Sequence, residues 1–209
     1  IWIGVVPIVT VAFVLAQSRA AMLGLLVVLA ALWLARARRP AVLLAVMIGQ
    51  RLGELYISAH NLPYLRAQGG REYGAAHFPL IVAVHALFPV LFVLELVRYD
   101  PSRGPLWAWW LILFALAQML RYTAIAALGR RWSTRVFVLP DAPLVRTGPY
   151  RWLRHPNYLA VVIEFVAAPM LFGAWRTAGV ISVLNAAVLA VRIRCENRAL
   201  QRAAVASSR

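Results

Sequence analysis

The chain has 209 residues, 63% of them hydrophobic and only 14% charged, with a mean hydropathy of +0.74. A water-soluble domain is about half apolar and about a quarter charged, so these proportions exclude a soluble enzyme, a disordered chain and a disulfide-stapled secreted module. All 22 basic residues are arginine, against seven acids, for a net charge of +15. They sit between apolar runs rather than along a soluble face, which fits lipid headgroups and topology and argues against nucleic acid.

Seven apolar stretches follow in order, over residues 2–16, 20–35, 41–59, 78–97, 106–128, 158–175 and 177–191. A perpendicular span needs about 20 residues, which the third to fifth stretches satisfy. Arg176 alone separates the last two, predicting a tight helical hairpin. Alternating barrel-type strands are absent. The fold expected is all-α, a polytopic integral membrane bundle of about five to seven transmembrane helices. It divides into N-terminal spans (1–60), middle spans with a connecting loop (61–128), and a third unit (129–209) holding a polar segment, the hairpin and a C-terminal helix. Ile1 opens the chain without a charged n-region, so the start is not read as a signal peptide.

With seven crossings, fourteen arginines fall on one side and six on the other, with Arg51 and Arg121 inside spans. The positive-inside rule puts the richer side, with the C-terminus and the 129–157 segment, in the cytoplasm. A bacterial inner membrane is the expected location, with membrane lipids as neighbours.

The 129–157 segment is the longest polar interruption, and Pro140, Pro143, Pro149 and Gly148 break any helix there. Asn157 is a candidate cap for the next helix. Arg154, His155 and Tyr158 gather at that helix start, where backbone N–H groups favour a carboxylate. From these residues alone the plainer reading is an interfacial loop whose arginines hold phosphates and whose aromatics form the interface belt. Cys195 is single and forms neither a disulfide nor a CxxC site. His60, His77, His85 and His155 give no metal-ligand spacing, so no metal is expected.

Inside the spans, Arg51 and Glu54 are an i,i+3 pair, either self-neutralising or part of a substrate-cavity wall. Glu164 is a lone acid six residues into its helix, either functional or bonded to a neighbouring helix. His77 and His85 read as packing residues or as a means of deprotonating an acceptor. Trp107, Trp109 and Trp110 form an aromatic belt.

Gly148-Pro149-Tyr150-Arg151-Trp152-Leu153-Arg154-His155-Pro156-Asn157-Tyr158, with Leu128-Gly129-Arg130-Arg131-Trp132-Ser133 before it, resembles the signature of the isoprenylcysteine carboxyl methyltransferase family, related to phospholipid methyltransferases. Arg192-Ile193-Arg194-Cys195-Glu196-Asn197-Arg198-Ala199-Leu200 resembles that family's R-I-x-x-E-E-x-x-L ending, departing at Asn197, where a second acid is usual. Arg51-Leu-Gly-Glu54, His60-Asn61, the 69–79 run with His77, then His85 and Glu95 resemble a bacterial branch encoded beside type III polyketide synthases and associated with O-methylation of alkylpyrones and alkylresorcinols.

The resemblance implies a membrane-embedded methyltransferase using S-adenosylmethionine (AdoMet), with S-adenosylhomocysteine as product and a lipophilic small-molecule acceptor. It makes 129–209 the catalytic, cofactor-binding unit. It further implies cofactor contacts from Gly148, Tyr150, Arg154, His155, Pro156, Tyr158 and Glu196, and catalytic roles for Arg192 and Glu196. Arg192 either holds a substrate oxyanion or neutralises Glu196. Arg51, Glu54, His77 and Glu164 are the substrate candidates. The absence of a strand-bounded G-x-G-x-x-G agrees, since it leaves no Rossmann-type cofactor domain. A hydroxyl acceptor of alkylpyrone or alkylresorcinol type is favoured over a prenylcysteine carboxylate, and an enzyme of the polyketide synthase pathway is the implied partner. A transporter, or a lipid-binding protein with a degenerate site, is the reading from a different class. A transporter would place broken helices near the midplane, whereas the Gly/Pro breaks here cluster at one face.

Overall fold

The computed structural model describes residues 40–102, 104–140 and 142–206; the first two apolar stretches lie outside them. Five α-helices follow in order: α1 (Pro40–Ala67), α2 (Phe78–Tyr99), α3 (Trp107–Leu128), α4 (Pro156–Met170) and α5 (Trp175–Ala206). Four of them are long and apolar enough to cross a membrane, and α4 is a shorter apolar helix. The protein is an all-α polytopic membrane protein.

Two short strands add to the all-α expectation. β1 (Arg71–Tyr73) and β2 (Val136–Val138) pair antiparallel, with Glu72 opposite Phe137. The β-branched and aromatic Val-Phe-Val run suits a half-buried ladder, and Arg135 Nη1 reaches Glu72 Oε1 at 2.8 Å beside it. This ladder ties the α1–α2 connection to the polar segment that follows α3. α1 ends with Gly69 at φ 75° and a bond from Gly70 N to Leu65 O of 2.9 Å, a Schellman-type stop. A Cβ on Gly70 would lie 2.6 Å from that same carbonyl oxygen.

α4 packs mainly between α3 and α5, while α5 also packs on α2. Fully buried Ala117 and Ala124 on α3 and Ala160, Ala167 and Ala168 on α4 let these backbones approach closely, as membrane helix pairs require. Phe88 stacks on Phe92 and tilts against Phe165, with ring centroids 5.8 and 5.4 Å apart, filling the wider centre.

The hairpin expected at Arg176 is present, but its turn lies earlier. α4 ends at Met170, Gly173 takes φ 76°, and Trp175 and Arg176 already belong to α5. Gly173 N bonds to Met170 O at 3.2 Å and Ala174 N to Pro169 O at 3.0 Å, a Schellman-type stop at a left-handed glycine, so the helix ends ahead of the charge. Glu95, on α2, caps the new helix: its carboxylate accepts from the backbone N–H of Arg176 (3.1 Å) and Thr177 (2.6 Å) and from Thr177 Oγ1 (2.6 Å). First-turn N–H groups have no intrahelical partner, and a neighbouring helix supplies it here. α5 runs unbroken through 32 residues, about 48 Å at 1.5 Å per residue, longer than a hydrocarbon core of about 30 Å. Its last turns therefore stand beside the polar segment.

Candidate active site

A partly open cavity of about 1000 Å³ is lined by the polar segment, α1, α2, α4 and α5. Side chains of α1 hold the segment above it. Asn61 Nδ2 donates to Trp132 O at 2.9 Å, and the Thr134 N–H donates to Ser58 Oγ at 3.0 Å. Gly148 opens a 3-10 turn, Gly148–Arg151, at φ 55°. A Cβ there would meet Ala127 Cβ at 3.3 Å, so glycine lets the turn lie against α3.

The start of α4 corrects the sequence reading. His155, not Asn157, is at the N-cap, and Pro156 takes the first helical position, where its fixed φ suits the helix and its missing N–H costs nothing. Asn157 lies one residue inside and lines the cavity; its Oδ1 is buried without a partner among the described residues.

Opposite, on α5, Arg192, Glu196 and Asn197 face the same space. Tyr158 OH donates to Glu196 Oε2 at 2.5 Å, and Arg192 Nε donates to Tyr158 OH at 2.7 Å. Arg192 Nη2 also donates to Thr134 O at 2.7 Å. The buried Arg192 thus fastens the polar segment to the Tyr158–Glu196 pair instead of meeting Glu196 directly. His155 stacks on Tyr158 with centroids 5.2 Å apart and planes at 15°. Its Nε2 is 3.2 Å from Asn197 Oδ1, and a carbonyl oxygen only accepts, so Nε2 carries the proton. A carboxylate at position 197 would accept the same bond, which is how asparagine serves where an acid is usual. Burial pushes the Tyr150 phenol up, with the Glu196 carboxylate adding to the shift, so Tyr150 stays a neutral hydroxyl.

Of the expected cofactor contacts, Tyr150, Arg154, His155, Tyr158 and Glu196 line the cavity together. Gly148 and Pro156 lie behind it, shaping the turn and the helix start. Among the substrate candidates, Arg51 and Glu54 line the cavity, while His77 and Glu164 are not in its lining. His77 sits at the start of α2 against Gly74, where a Cβ would also fall 2.8 Å from Cys195 Sγ.

Glu164 instead completes a buried four-charge cluster. Arg51 bonds both Glu54 Oε2 (2.7 Å) and Glu164 Oε2 (2.5 Å), and Arg121 binds both carboxylates from α3. Gln118 donates to Glu164 Oε1 at 3.3 Å, and Gln50 donates to Gln118. Arg51 and Glu54 are thus an ion pair, as one reading of the sequence expects, and both also line the cavity. Sequence reasoning passed over Gln118 and the pairing of Arg121; polar residues three apart within an apolar run were the available signal. Among the described residues no group of three or more His, Cys, Asp or Glu is placed to hold a metal.

A model of the isoprenylcysteine carboxyl methyltransferase (ICMT) family matches residues 110–202, which cover most of α3, the polar segment, α4 and most of α5. The chain is also 38% identical over 164 residues to the uncharacterized protein YpbQ of Bacillus subtilis, covering 76% of this chain and 95% of that one. The chain belongs to the ICMT family. A second relative, an uncharacterized protein of Haemophilus influenzae, is 26% identical over 157 residues, covering 75% of this chain and 91% of its own length. No solved structure matches. As an ICMT-family member the protein is a membrane methyltransferase, and the family generally uses AdoMet. The matched region contains both polar faces of the cavity, while Arg51, Glu54 and His85 lie before it.

Proposed function

We propose that this ICMT-family protein transfers the methyl group of AdoMet to a hydroxyl oxygen of a lipophilic acceptor, of alkylpyrone or alkylresorcinol type. The observation that carries this is one cavity with two characters: the polar Tyr150–Asn157 and Arg192–Asn197 faces at one end, and apolar residues of α1 and α2 along the rest. Ile48, Leu52 and Leu55 on α1 and Val82 on α2 line it and are exposed among the described residues. This supports an acceptor whose tail stays in hydrocarbon, gaining up to about 0.8 kcal/mol per buried methylene.

The residues at the polar end fit AdoMet. The unpartnered Asn157 Oδ1 and the Glu196 carboxylate are acceptors for its amino and hydroxyl groups, Arg154 and the α4 N-terminus suit its carboxylate, and the stacked His155–Tyr158 rings offer a planar face to adenine. When bound, it supplies an electrophilic methyl on a cationic sulfur. Arg192 keeps Tyr158 and Glu196 in register with the segment above, and the apolar walls exclude water, which favours a step in which opposite charges cancel.

Carboxyl methylation of an isoprenylcysteine-like substrate is the second reading, supported by the family's description. Purified protein is expected to bind S-adenosylhomocysteine and to methylate long-chain phenols or pyrones from a panel that also holds prenylcysteines and phospholipids. Methylation of prenylcysteine alone would replace the hydroxyl by the carboxylate, and loss of S-adenosylhomocysteine binding in folded protein would remove the activity altogether. The likeness to the polyketide-associated branch makes an enzyme that forms such acceptors the proposed pathway partner.

The arginine asymmetry supports a bacterial inner-membrane orientation with the polar segment and the C-terminus cytoplasmic. In a Cys195→Ser background, Leu144→Cys, on an exposed part of the segment, is expected to react with an impermeant maleimide only from the cytoplasmic side. Labelling from outside the cell would reverse the topology.

A further inference from the structure

His85 is a cavity-lining side chain that the donor-binding cluster does not use. It stands on α2, with its ring 5.0 Å from Phe165 on α4. Phe165 is seven residues beyond Tyr158, about 10 Å along the helix at 1.5 Å per residue, so His85 lies deeper in the membrane than the Tyr158–Glu196 pair. Its Nδ1 is 2.8 Å from Ile81 O. A carbonyl oxygen only accepts, so Nδ1 carries the proton and Nε2 keeps its lone pair. Among the described residues no bond to Nε2 is present.

The nearby charges come from three helices: Arg51 and Glu54 on α1, Arg121 on α3, and Glu164 behind Arg51 on α4. The α5 residues lining the cavity at this depth, Asn185, Val188 and Leu189, carry no charge. Arg51 is the accessible member of the charged cluster, with 21% of its side chain exposed against 8% or less for the other three. The cavity lining thus holds both a proton acceptor, His85 Nε2, and a guanidinium donor, Arg51. A hydroxyl both donates and accepts, and it satisfies both groups at once; a carboxylate satisfies only the guanidinium.

We propose that His85 is the proton acceptor for the acceptor hydroxyl and that Arg51 holds the oxyanion formed, which rests on the hydroxyl-methylation reading above. The O–H bond breaks as the Nε2–H bond forms, leaving imidazolium and an oxyanion paired with Arg51. The oxyanion then takes the methyl from the sulfonium donor, giving an ether and a neutral thioether, and the imidazolium releases its proton after product departs. Donor and acceptor meet in the one cavity, and the base belongs to its apolar, membrane-side part.

The test measures kcat for wild type, His85→Gln and His85→Phe on lipophilic acceptors of graded acidity, from weakly acidic alkylphenols to alkyl carboxylic acids, with S-adenosylhomocysteine affinity recorded alongside. General-base catalysis contributes about 10²–10⁴-fold, so both variants are expected to lose at least about 100-fold on weakly acidic phenols. The loss should shrink toward none as the acceptor becomes ionised in advance, with S-adenosylhomocysteine affinity unchanged. An equal loss on every acceptor, no loss on any, or a fall in S-adenosylhomocysteine affinity overturns the assignment. If wild type binds S-adenosylhomocysteine yet methylates no hydroxyl acceptor, the hydroxyl reading itself fails, and His85 loses its role with it.

Discussion

Replacing Arg121 by leucine is expected to destabilise the protein by about 3 kcal/mol or more, the usual cost of removing one partner of a buried ion pair. Arg121 is fully buried and bonds both Glu54 and Glu164. Without it the two carboxylates share Arg51 alone, and an intramembrane acid lacking a full partner is expensive. Gln118, which also donates to Glu164, is neutral and cannot replace the lost charge. Thermal unfolding in detergent checks this: the midpoint of Arg121→Leu should fall by many degrees, and Arg121→Lys, which keeps the charge but loses the fork, should lie between. A wild-type midpoint for Arg121→Leu would mean that the cluster contributes little to the fold.

Glu196→Ala is expected to lower S-adenosylhomocysteine affinity, or turnover with AdoMet, by at least about tenfold, or 1.4 kcal/mol. The carboxylate accepts the Tyr158 hydroxyl at 2.5 Å and faces His155 Nδ1 at 3.8 Å. Its loss therefore removes a ligand and also loosens the aromatic pair beside it. His155→Ala should do the same by the opposite route, removing the stacked ring and leaving Asn197 without its donor. Isothermal titration in variants with unchanged unfolding midpoints separates binding from folding. Wild-type affinity and kinetics in both would reduce the motif to an interfacial loop.

Features governed by local composition could be read from the sequence. Apolar runs gave the spans of α1 to α3, and the two matched blocks marked the polar faces that the cavity brings together. Features that depend on partners distant in sequence could not. Nothing local says that Glu95 caps a helix 81 residues away, or that Glu164 answers Arg51 across 113 residues. The hairpin break expected at Arg176 comes earlier for a local reason: the left-handed Gly173 stops α4, and such a glycine governs backbone geometry more directly than a charge. His77 and His85 looked equivalent by spacing, and only packing separates them, one against Gly74 and the other in the cavity lining.

The four-charge cluster also bears on how the protein meets an energised membrane. A transmembrane potential does about 2.3 kcal/mol of work per 100 mV on each elementary charge that crosses it. Two guanidinium groups bound to two carboxylates within one contact network present no net charge to that field. A single arginine at this depth would couple the free energy of insertion to the cell's respiratory state. The balanced set adds no net charge at this depth, so its two arginines are held among the helices without coupling the cluster to the potential.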